Sequence, residues 1–120
     1  MSRTVMIVDD SLFMRKILHG ILVDKGYIVS AEAASGIEAM RNLHGNHPDI
    51  ILLDIVLPDS NGLDLLESII TTCPNTKVVV CSSIAQPLVI SKALDLGARA
   101  FIQKPFTPEK VAEALEGLED

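Results

Sequence analysis

Two short segments of the chain are apolar at every position, Ile50–Leu53 and Val78–Cys81. A strand with one face in water alternates apolar and polar residues, whereas a continuous apolar run indicates burial on both faces. Such strands are typical of a parallel sheet with helices packed on its two sides. With three further β-rich runs, the predicted strands are Thr4–Val8, Tyr27–Ala31, Ile50–Leu53, Val78–Cys81 and Ala100–Gln103.

Helical patterns alternate with these strands. In the first of them, apolar residues recur at helical spacing: Phe13, Ile17, Leu18, Ile21 and Leu22. Ser35 with Glu38 three residues later forms a capping box, and Thr107 before Pro108 is an N-cap followed by proline at the first helical position. The predicted helices are Ser11–Lys25, Ser35–His44, Gly62–Thr72, Pro87–Leu96 and Thr107–Leu118. Five strand–helix units predict an α/β fold with a doubly wound parallel sheet, as one domain over residues 1–120. The last helix is expected to reach the end of the chain, so that no output domain follows.

Charge and hydropathy exclude several classes of protein. The formal net charge is −6, and an acidic surface repels phosphate backbones, so we expect no direct binding to nucleic acid. No apolar run reaches membrane-spanning length, and the N-terminal segment lacks the long apolar region of a signal peptide. We therefore expect a cytoplasmic protein without membrane insertion.

The remaining sequence signals are weaker. Cys73 and Cys81 form no CxxC motif and are predicted to be free thiols. The histidines have no ligand partners at useful spacing, so no metal site is expected at His19, His44 or His47. An acidic bias near the C-terminus indicates either a solvated helix face or an acidic patch for a partner; it comprises Glu109, Glu113, Glu116, Glu119 and Asp120.

Polar side chains stand at the ends of four of the predicted strands. In an open parallel sheet, sites form at the carboxyl ends of the strands. The residues at these ends are Asp9 and Asp10 (first strand), Asp54 (third), Ser82 and Ser83 (fourth) and Lys104 (fifth). We expect three carboxylates, two hydroxyls and one ammonium group to meet at one edge of the sheet.

Crowded carboxylates need a counter-charge, because like charges at neighbouring strand ends cannot all stay ionised alone. Lys104 supplies one positive charge, and oxygen-only ligands suit Mg²⁺ as a second source. A carboxylate beside Mg²⁺ and a lysine can attack phosphorus and form an acyl phosphate. Taken singly, Asp10 fits a helix cap and Asp54 an ordinary polar strand end; the coincidence at four strand ends favours a site.

Four motifs carry a family resemblance: MIVDDS, LLDIVLPDSNG, VVVCSS and GARAFIQKPF. In their order and spacing, they resemble the signature of response-regulator receiver domains over essentially the whole chain. The segments SLFMRKIL, CSSIAQ and FIQKPF resemble most the single-domain chemotaxis regulators of the CheY type. The resemblance implies a flavodoxin-like (βα)5 fold with strand order 2-1-3-4-5.

The resemblance also implies roles for the strand-end residues. Asp54 is expected to be the phosphoacceptor, and Lys104 to pair with the phosphoryl group, with a cis peptide bond before Pro105. The implied Mg²⁺ ligands are Asp9, Asp10, Asp54 and the backbone carbonyl of Ile55.

The implied mechanism is a two-state switch. A histidine kinase of the chemotaxis type donates a phosphoryl group to Asp54, and Ser82 is drawn inward. Phe101 then moves into the vacated space, so that Ser82 and Phe101 form the switch pair. The face made by the fourth helix, fifth strand and fifth helix changes shape, and a flagellar motor switch protein or another output protein reads it. The expected protein is a monomer and not a turnover enzyme; as an alternative, it acts as a phosphate sink or relay in another two-component pathway.

Three positions depart from the usual family pattern. Phe101 replaces a frequent tyrosine and lacks the hydroxyl, and Ser83 replaces a usual alanine or glycine but is still small. Val56, two residues after Asp54, is apolar. Because Val56 and Ile84 cannot orient an attacking water, we predict slow self-dephosphorylation.

Other functional classes fit the sequence less well. Phosphatases of the haloacid dehalogenase type carry a second acid in a DxD pattern, and Asp54-Ile55-Val56 lacks it. A flavin or dinucleotide module is disfavoured because no GxGxxG follows the first strand and no P-loop is present. A receiver-like domain that serves only as an interaction module normally lacks one of the key residues, and all of them are present here.

Overall fold

The computed structural model describes residues 3–118. Five parallel strands form one sheet in the order β2-β1-β3-β6-β7, and β4 and β5 form a separate antiparallel pair. The strands are β1 (Thr4–Val8), β2 (Ile28–Ala33), β3 (Ile50–Leu53), β4 (Val56–Leu57), β5 (Ser60–Asn61), β6 (Lys77–Ser82) and β7 (Ala100–Gln103). Counted along the main sheet, this is the predicted order 2-1-3-4-5, which confirms the flavodoxin-like α/β fold.

Five helices connect these strands. They are α1 (Leu12–Asp24), α2 (Gly36–Asn42), α3 (Gly62–Thr72), α4 (Pro87–Asp95) and α5 (Pro108–Glu116). Ser35 caps α2 by accepting a hydrogen bond from the Glu38 N–H (3.1 Å), and Thr107 caps α5 by accepting one from the Lys110 N–H (3.2 Å). Both predicted N-caps are confirmed, and the helix bounds differ from the predicted ones by a few residues.

Helices cover both faces of the main sheet, as the continuous apolar runs predicted. In β3, Ile51 and Leu53 pack into the core cluster that contains residues of α2, α3 and α4. Ile50 and Leu52 pack into a second cluster with residues of α1 and α5. Because side chains alternate along a strand, these four consecutive residues contribute equally to both clusters.

The apolar pattern of α1 is wider than the surface that the helix buries. Leu18 and Leu22 are buried against the sheet, whereas Phe13 is 72% exposed and Ile17 is 37% exposed. The apolar spacing identified the helix correctly, but it did not distinguish the buried stripe from the exposed one. An apolar surface therefore remains at the start of α1, directly after the first acid pair.

Strand β2 is shifted relative to its predicted bounds. The prediction was Tyr27–Ala31, and the observed strand is Ile28–Ala33. An irregularity between Val5 and Met6 shifts the register, and beyond it Ile7 pairs with Glu32. The strand therefore continues through Glu32, which lies beside α1.

The segment between β3 and α3 contains the hairpin β4–β5, which the sequence did not predict. In its turn, the Asp59 carboxylate accepts hydrogen bonds from the N–H groups of Gly36 (2.9 Å) and Ile37 (3.0 Å) at the start of α2. These bonds lower the pKa of Asp59 below its ordinary value. Gly36 leaves no room for a Cβ because the Ser60 side chain occupies that space. The hairpin that follows Asp54 is thus attached to α2.

None of the helices within residues 3–118 has the length and hydrophobicity that a membrane span requires. Cys73 and Cys81 are buried and free, as predicted. Burial raises the pKa of the Cys81 thiol to about 12. Both thiols are therefore protonated at neutral pH and lie inside the core.

The acidic C-terminal bias lies on the surface of α5. Glu109, Glu113 and Glu116 are exposed, and Glu119 and Asp120 lie outside the described residues. The position of the three glutamates fits both alternatives, a solvated face and a patch for a partner.

Candidate functional site

Four strands of the main sheet deliver polar residues to one edge. Asp9 follows β1, Asp54 follows β3, Ser82 is the last residue of β6, and Lys104 follows β7. Backbone hydrogen bonds continue the sheet past the strand ends, from the Asp54 N–H to the Val8 carbonyl (2.9 Å) and from the Lys104 N–H to the Ser82 carbonyl (3.0 Å). The sheet itself therefore sets the positions of the site residues.

Lys104 bridges two buried carboxylates. Its Nζ lies 2.6 Å from Asp9 Oδ2 and 2.9 Å from Asp54 Oδ2. Asp9 is 2% exposed and Asp54 is 7% exposed. Burial alone would lower the pKa of Lys104, but the hydrogen bonds and charges of Asp9 and Asp54 outweigh burial and raise this pKa. The ammonium group is therefore held in its charged form between the two carboxylates.

The second oxygen of each buried carboxylate accepts a backbone N–H. Asp9 Oδ1 accepts a hydrogen bond from the Ser11 N–H (2.9 Å), and Asp54 Oδ1 accepts one from the Val56 N–H (2.9 Å). Each carboxylate is thus held on one side by a lysine and on the other by the backbone. This arrangement fixes the orientation of both side chains before any ligand binds.

The donor set fits Mg²⁺. One oxygen from each of Asp9, Asp10 and Asp54 lies within 4.8 Å of the others. Three carboxylates and one ammonium group leave an excess of two negative charges, which one divalent cation would balance. Ligands that offer only oxygen suit a hard cation such as Mg²⁺. Within residues 3–118, this is the one such cluster of potential metal ligands, and it contains no histidine.

The backbone carbonyl of Ile55 lies against Gly62, where there is no room for a Cβ. Gly62 is the first residue of α3 and follows the β4–β5 hairpin. This contact does not connect the carbonyl oxygen to the acid cluster. The role of the Ile55 carbonyl as an Mg²⁺ ligand therefore stays a prediction.

Ser82 and Phe101 lie on the neighbouring strands β6 and β7. Ser82 is fully buried, and its Oγ accepts a hydrogen bond from the Ile84 N–H (3.2 Å). Phe101 pairs in register with Val80, packs partly against the core, and borders a cavity of about 720 Å³ between β7 and α5. Phe101 therefore borders a space beside α5, and its coupling to Ser82 as a switch stays a prediction.

Two partly exposed apolar side chains follow the ends of β3 and β6: Val56 in β4 and Ile84 before α4. Val56 is 46% exposed and Ile84 is 41% exposed. Both line a groove of about 370 Å³ between the β4–β5 hairpin and the start of α4. Because both side chains are hydrocarbons, neither offers a hydrogen-bonding group that could orient a water molecule in this groove.

The peptide bond between Lys104 and Pro105 is cis, as the family resemblance implied.

Sequence reasoning missed one pair of residues at the site. Arg15 Nη1 donates a hydrogen bond to the backbone carbonyl of Asp9 (2.6 Å), and Arg15 Nε donates to Glu32 Oε1 (3.1 Å). Arg15 belongs to an ordinary helical pattern, and Glu32 lay outside the predicted strand. The available signal was an arginine in the first turns of the helix that follows the acid pair.

Comparison with known proteins decides the family. Residues 5–116 match the family described as the response regulator receiver domain. The chain belongs to the response-regulator receiver family. This receiver domain is 43% identical to the chemotaxis protein CheY of Thermotoga maritima over 115 residues, which cover 96% of each chain. The receiver family and the likeness to CheY that the motifs indicated are both confirmed.

Solved structures agree with this assignment. A CheY-like receiver domain from Methanospirillum hungatei superposes with a TM-score of 0.90 at 28% identity, covering 98% of this chain and 94% of the other. A chain in the CheX–CheY–BeF3–Mg²⁺ complex from Borrelia burgdorferi has a TM-score of 0.89 at 33% identity, with 97% and 88% coverage. This receiver domain therefore has the fold of CheY-like proteins.

Proposed function

We propose that this receiver domain is a phosphorylation-activated response regulator that carries its phosphoryl group on Asp54. The observation that supports this most strongly is the bridge from Lys104 to the buried carboxylates of Asp9 and Asp54. β3, which positions Asp54, is the central strand of the sheet, so groups from both sides reach it. The groove lined by Val56 and Ile84 reaches Ile55, the residue that follows Asp54, and is the proposed approach for a phosphodonor.

The proposed chemistry is nucleophilic transfer from a phosphohistidine. An oxygen of Asp54 forms a bond to phosphorus while the P–N bond of the donor breaks. The electron pair of the broken bond stays on the imidazole, which takes up a proton from solvent. Lys104 lies 2.9 Å from Asp54 Oδ2 and neutralises charge on the phosphoryl oxygens.

Asp9, Asp10 and Asp54 would hold Mg²⁺, with the Ile55 carbonyl as a further predicted ligand. When bound, Mg²⁺ supplies additional charge neutralisation for phosphoryl transfer. The protein chain contributes the fixed orientation of the carboxylates, because Asp9 and Asp54 are each held by Lys104 and a backbone N–H.

The domain is proposed to be a switch and not a turnover enzyme, because the phosphoryl group stays on its own Asp54 until hydrolysis removes it. Phosphorylation adds negative charge beside the end of β6. Ser82 then moves towards the phosphoryl group, the loop before α4 follows, and Phe101 turns inward. The α4–β7–α5 face changes shape for an output protein.

The proposed partners follow from the CheY relatives. A histidine kinase of the chemotaxis type phosphorylates the domain, and a flagellar motor switch protein binds the α4–β7–α5 face. Support for kinase docking comes from Leu12 (56% exposed) and Phe13 (72% exposed), which begin α1 next to the acid pair. Large exposed apolar side chains beside a reactive site are typical of a protein interface. We propose that the protein acts in the cytoplasm as a monomer.

Transfer from a radiolabelled, phosphorylated chemotaxis histidine kinase tests this function. We expect the label to move from the kinase to the receiver domain within seconds to minutes when Mg²⁺ is present. Asp54→Asn should abolish the transfer, while the matched control Asp64→Asn, on the exposed surface of α3, should leave it intact. Equal labelling of the Asp54→Asn protein would contradict the assignment of the phosphoacceptor.

Binding to the motor switch protein separates output from relay. With beryllofluoride and Mg²⁺, the domain should bind an isolated motor switch protein more tightly than without them. Equal binding in both states, together with onward transfer of the phosphoryl group to a histidine protein, would support the phosphate sink or relay instead.

A further inference from the structure

The backbone of the acid pair is fixed from two directions. The Asp9 N–H donates to the Ala33 carbonyl of β2 (3.0 Å), and the Asp9 carbonyl accepts a hydrogen bond from Arg15 Nη1 (2.6 Å). The Asp9 carbonyl belongs to the planar peptide group that leads into Asp10. Fixing this carbonyl therefore also fixes where the Asp10 backbone begins.

The Arg15 side chain is itself held in place. It is only 14% exposed, and its Nε donates to Glu32 Oε1 (3.1 Å) on β2. The other carboxylate oxygen of Glu32 lies 3.2 Å from Nδ1 of His19, one turn further along α1. Two nitrogens of a rigid guanidinium thus connect β2 with the loop of the acid pair.

The charge of this pair is balanced near the site. Arg15 and Glu32 form a salt bridge, so together they add little net charge beside Asp9 and Asp10. An uncompensated guanidinium would repel a cation, and its removal would then strengthen Mg²⁺ binding. A guanidinium that orients the ligands has the opposite effect, because its removal loosens the acid pair.

We propose that Arg15 is a positioning residue for the metal site: it holds the Asp9–Asp10 peptide in the orientation that binds Mg²⁺, and Glu32 holds Arg15. This inference rests on the proposed function, because it concerns the same acid cluster. Groups behind the direct ligands of a metal determine how the ligands point, and their loss typically weakens metal binding about 10- to 100-fold.

Direct Mg²⁺ titration of the full chain, followed by amide chemical shifts in NMR spectra, tests the proposal without any phosphoryl transfer. Arg15→Ala should weaken Mg²⁺ binding about tenfold, the low end of the range for such groups. The control Lys16→Ala removes the same charge from an exposed position of the same helix and should change the affinity less than twofold. If charge alone determined the affinity, removing either positive side chain would leave Mg²⁺ binding unchanged or strengthen it.

A second set of variants separates positioning from charge and from misfolding. The double variant Arg15→Ala, Glu32→Ala restores the charge balance and should bind Mg²⁺ no better than Arg15→Ala. Arg15→Lys keeps the charge, but one ammonium group cannot reproduce the two-nitrogen contact with Glu32 and Asp9, so it should only partly restore affinity. Dispersed NMR spectra of these variants would show that the fold is retained.

Phosphorylation by acetyl phosphate provides a kinetic readout. For Arg15→Ala, the Mg²⁺ concentration that gives half the maximal rate should rise about tenfold, as for direct binding, while the rate at saturating Mg²⁺ stays within twofold. A general loss of structure would instead also lower the rate at saturating Mg²⁺. Unchanged Mg²⁺ affinity in a folded Arg15→Ala protein overturns this inference alone, whereas absence of Mg²⁺ binding by the unaltered protein overturns both it and the proposed metal site.

Discussion

The ammonium group of Lys104 lies 2.9 Å from Asp54 Oδ2, although 50 positions separate the two residues in the chain. The same nitrogen lies 2.6 Å from Asp9 Oδ2, 95 positions away. One cation therefore joins the ends of β1, β3 and β7. Because both carboxylates are buried, loss of this bridge would leave them without a counter-charge, so we expect Lys104 to stabilise the fold as well as to take part in the proposed phosphoryl transfer.

Removing the ammonium group of Lys104 tests both expected roles. Lys104→Met leaves two buried carboxylates without their counter-charge and should lower the free energy of unfolding by about 3 kcal/mol in the absence of divalent ions. Added Mg²⁺ should recover part of the loss, since it neutralises the same groups. Urea unfolding with and without Mg²⁺ measures both effects. Lys16→Met, at an exposed position of α1, is the control, and equal losses in the two variants would contradict the prediction.

We predict that the lifetime of the phosphoryl group on Asp54 depends on the apolar side chains of Val56 and Ile84. Val56→Asn places an amide where it can orient water, so hydrolysis should accelerate on the order of tenfold. The measurement is the decay of the phosphoprotein after the phosphodonor is removed. Val23→Asn changes a valine of similar exposure at the far end of α1 and should leave the decay unchanged. Rapid hydrolysis of the acyl phosphate in the unaltered protein would show that Val56 and Ile84 do not slow the attack of water on the phosphoryl group.

We expect the stability of the protein to depend on pH through Asp59, in the turn of the β4–β5 hairpin. Its pKa is lowered by hydrogen bonds from the Gly36 and Ile37 N–H groups, so the folded state binds the proton less readily than the unfolded state. Such a group stabilises the fold above its ordinary pKa of 3.8, and this contribution is lost as the pH falls through the lowered folded-state value. Asp59→Asn should therefore be less stable than the unaltered protein at pH 7, and the difference should shrink under acid conditions.

Urea unfolding as a function of pH measures this difference. Glu67→Gln, at an exposed position in the middle of α3, is the matched control and should show a much smaller effect at neutral pH. A difference for Asp59→Asn that stays constant down to strongly acid pH would mean that the charge of Asp59 does not stabilise the hairpin.

The two thiols should be unreactive in the folded protein. Burial raises the pKa of Cys73 and raises that of Cys81 to about 12, and thiolate is the form that reacts with alkylating agents. At pH 8, iodoacetamide should modify neither residue in the native state and both in urea, as read from intact mass. Rapid modification of the native protein would show that the core opens locally.

The sequence predicted the residues of the site because strand ends become neighbours in a parallel sheet. Asp9, Asp54 and Lys104 stand directly after apolar strands, so recognising the strands was enough to bring these three together. The chain order of the elements and the tendency of sites to form at the carboxyl ends of parallel strands are sufficient for this prediction.

The features that the sequence did not reveal depend on tertiary contacts. Ala33 and Glu32 have little intrinsic preference for strands, and pairing with β1 extends β2 through them. The contact of Arg15 with Glu32 follows from that extension. Likewise, nothing in the apolar spacing of α1 distinguished the buried Leu18 from the exposed Phe13.

Phosphorylation of the purified chain by acetyl phosphate, followed by intact mass, tests whether Asp54 is the phosphoacceptor. We expect one added phosphoryl group that requires Mg²⁺, is absent in Asp54→Asn and persists in the control Asp64→Asn. Reduction with borohydride should then place the modification at residue 54. A folded protein that gains no phosphoryl group, or gains it equally without Asp54, would contradict the proposal that Asp54 is the phosphoacceptor.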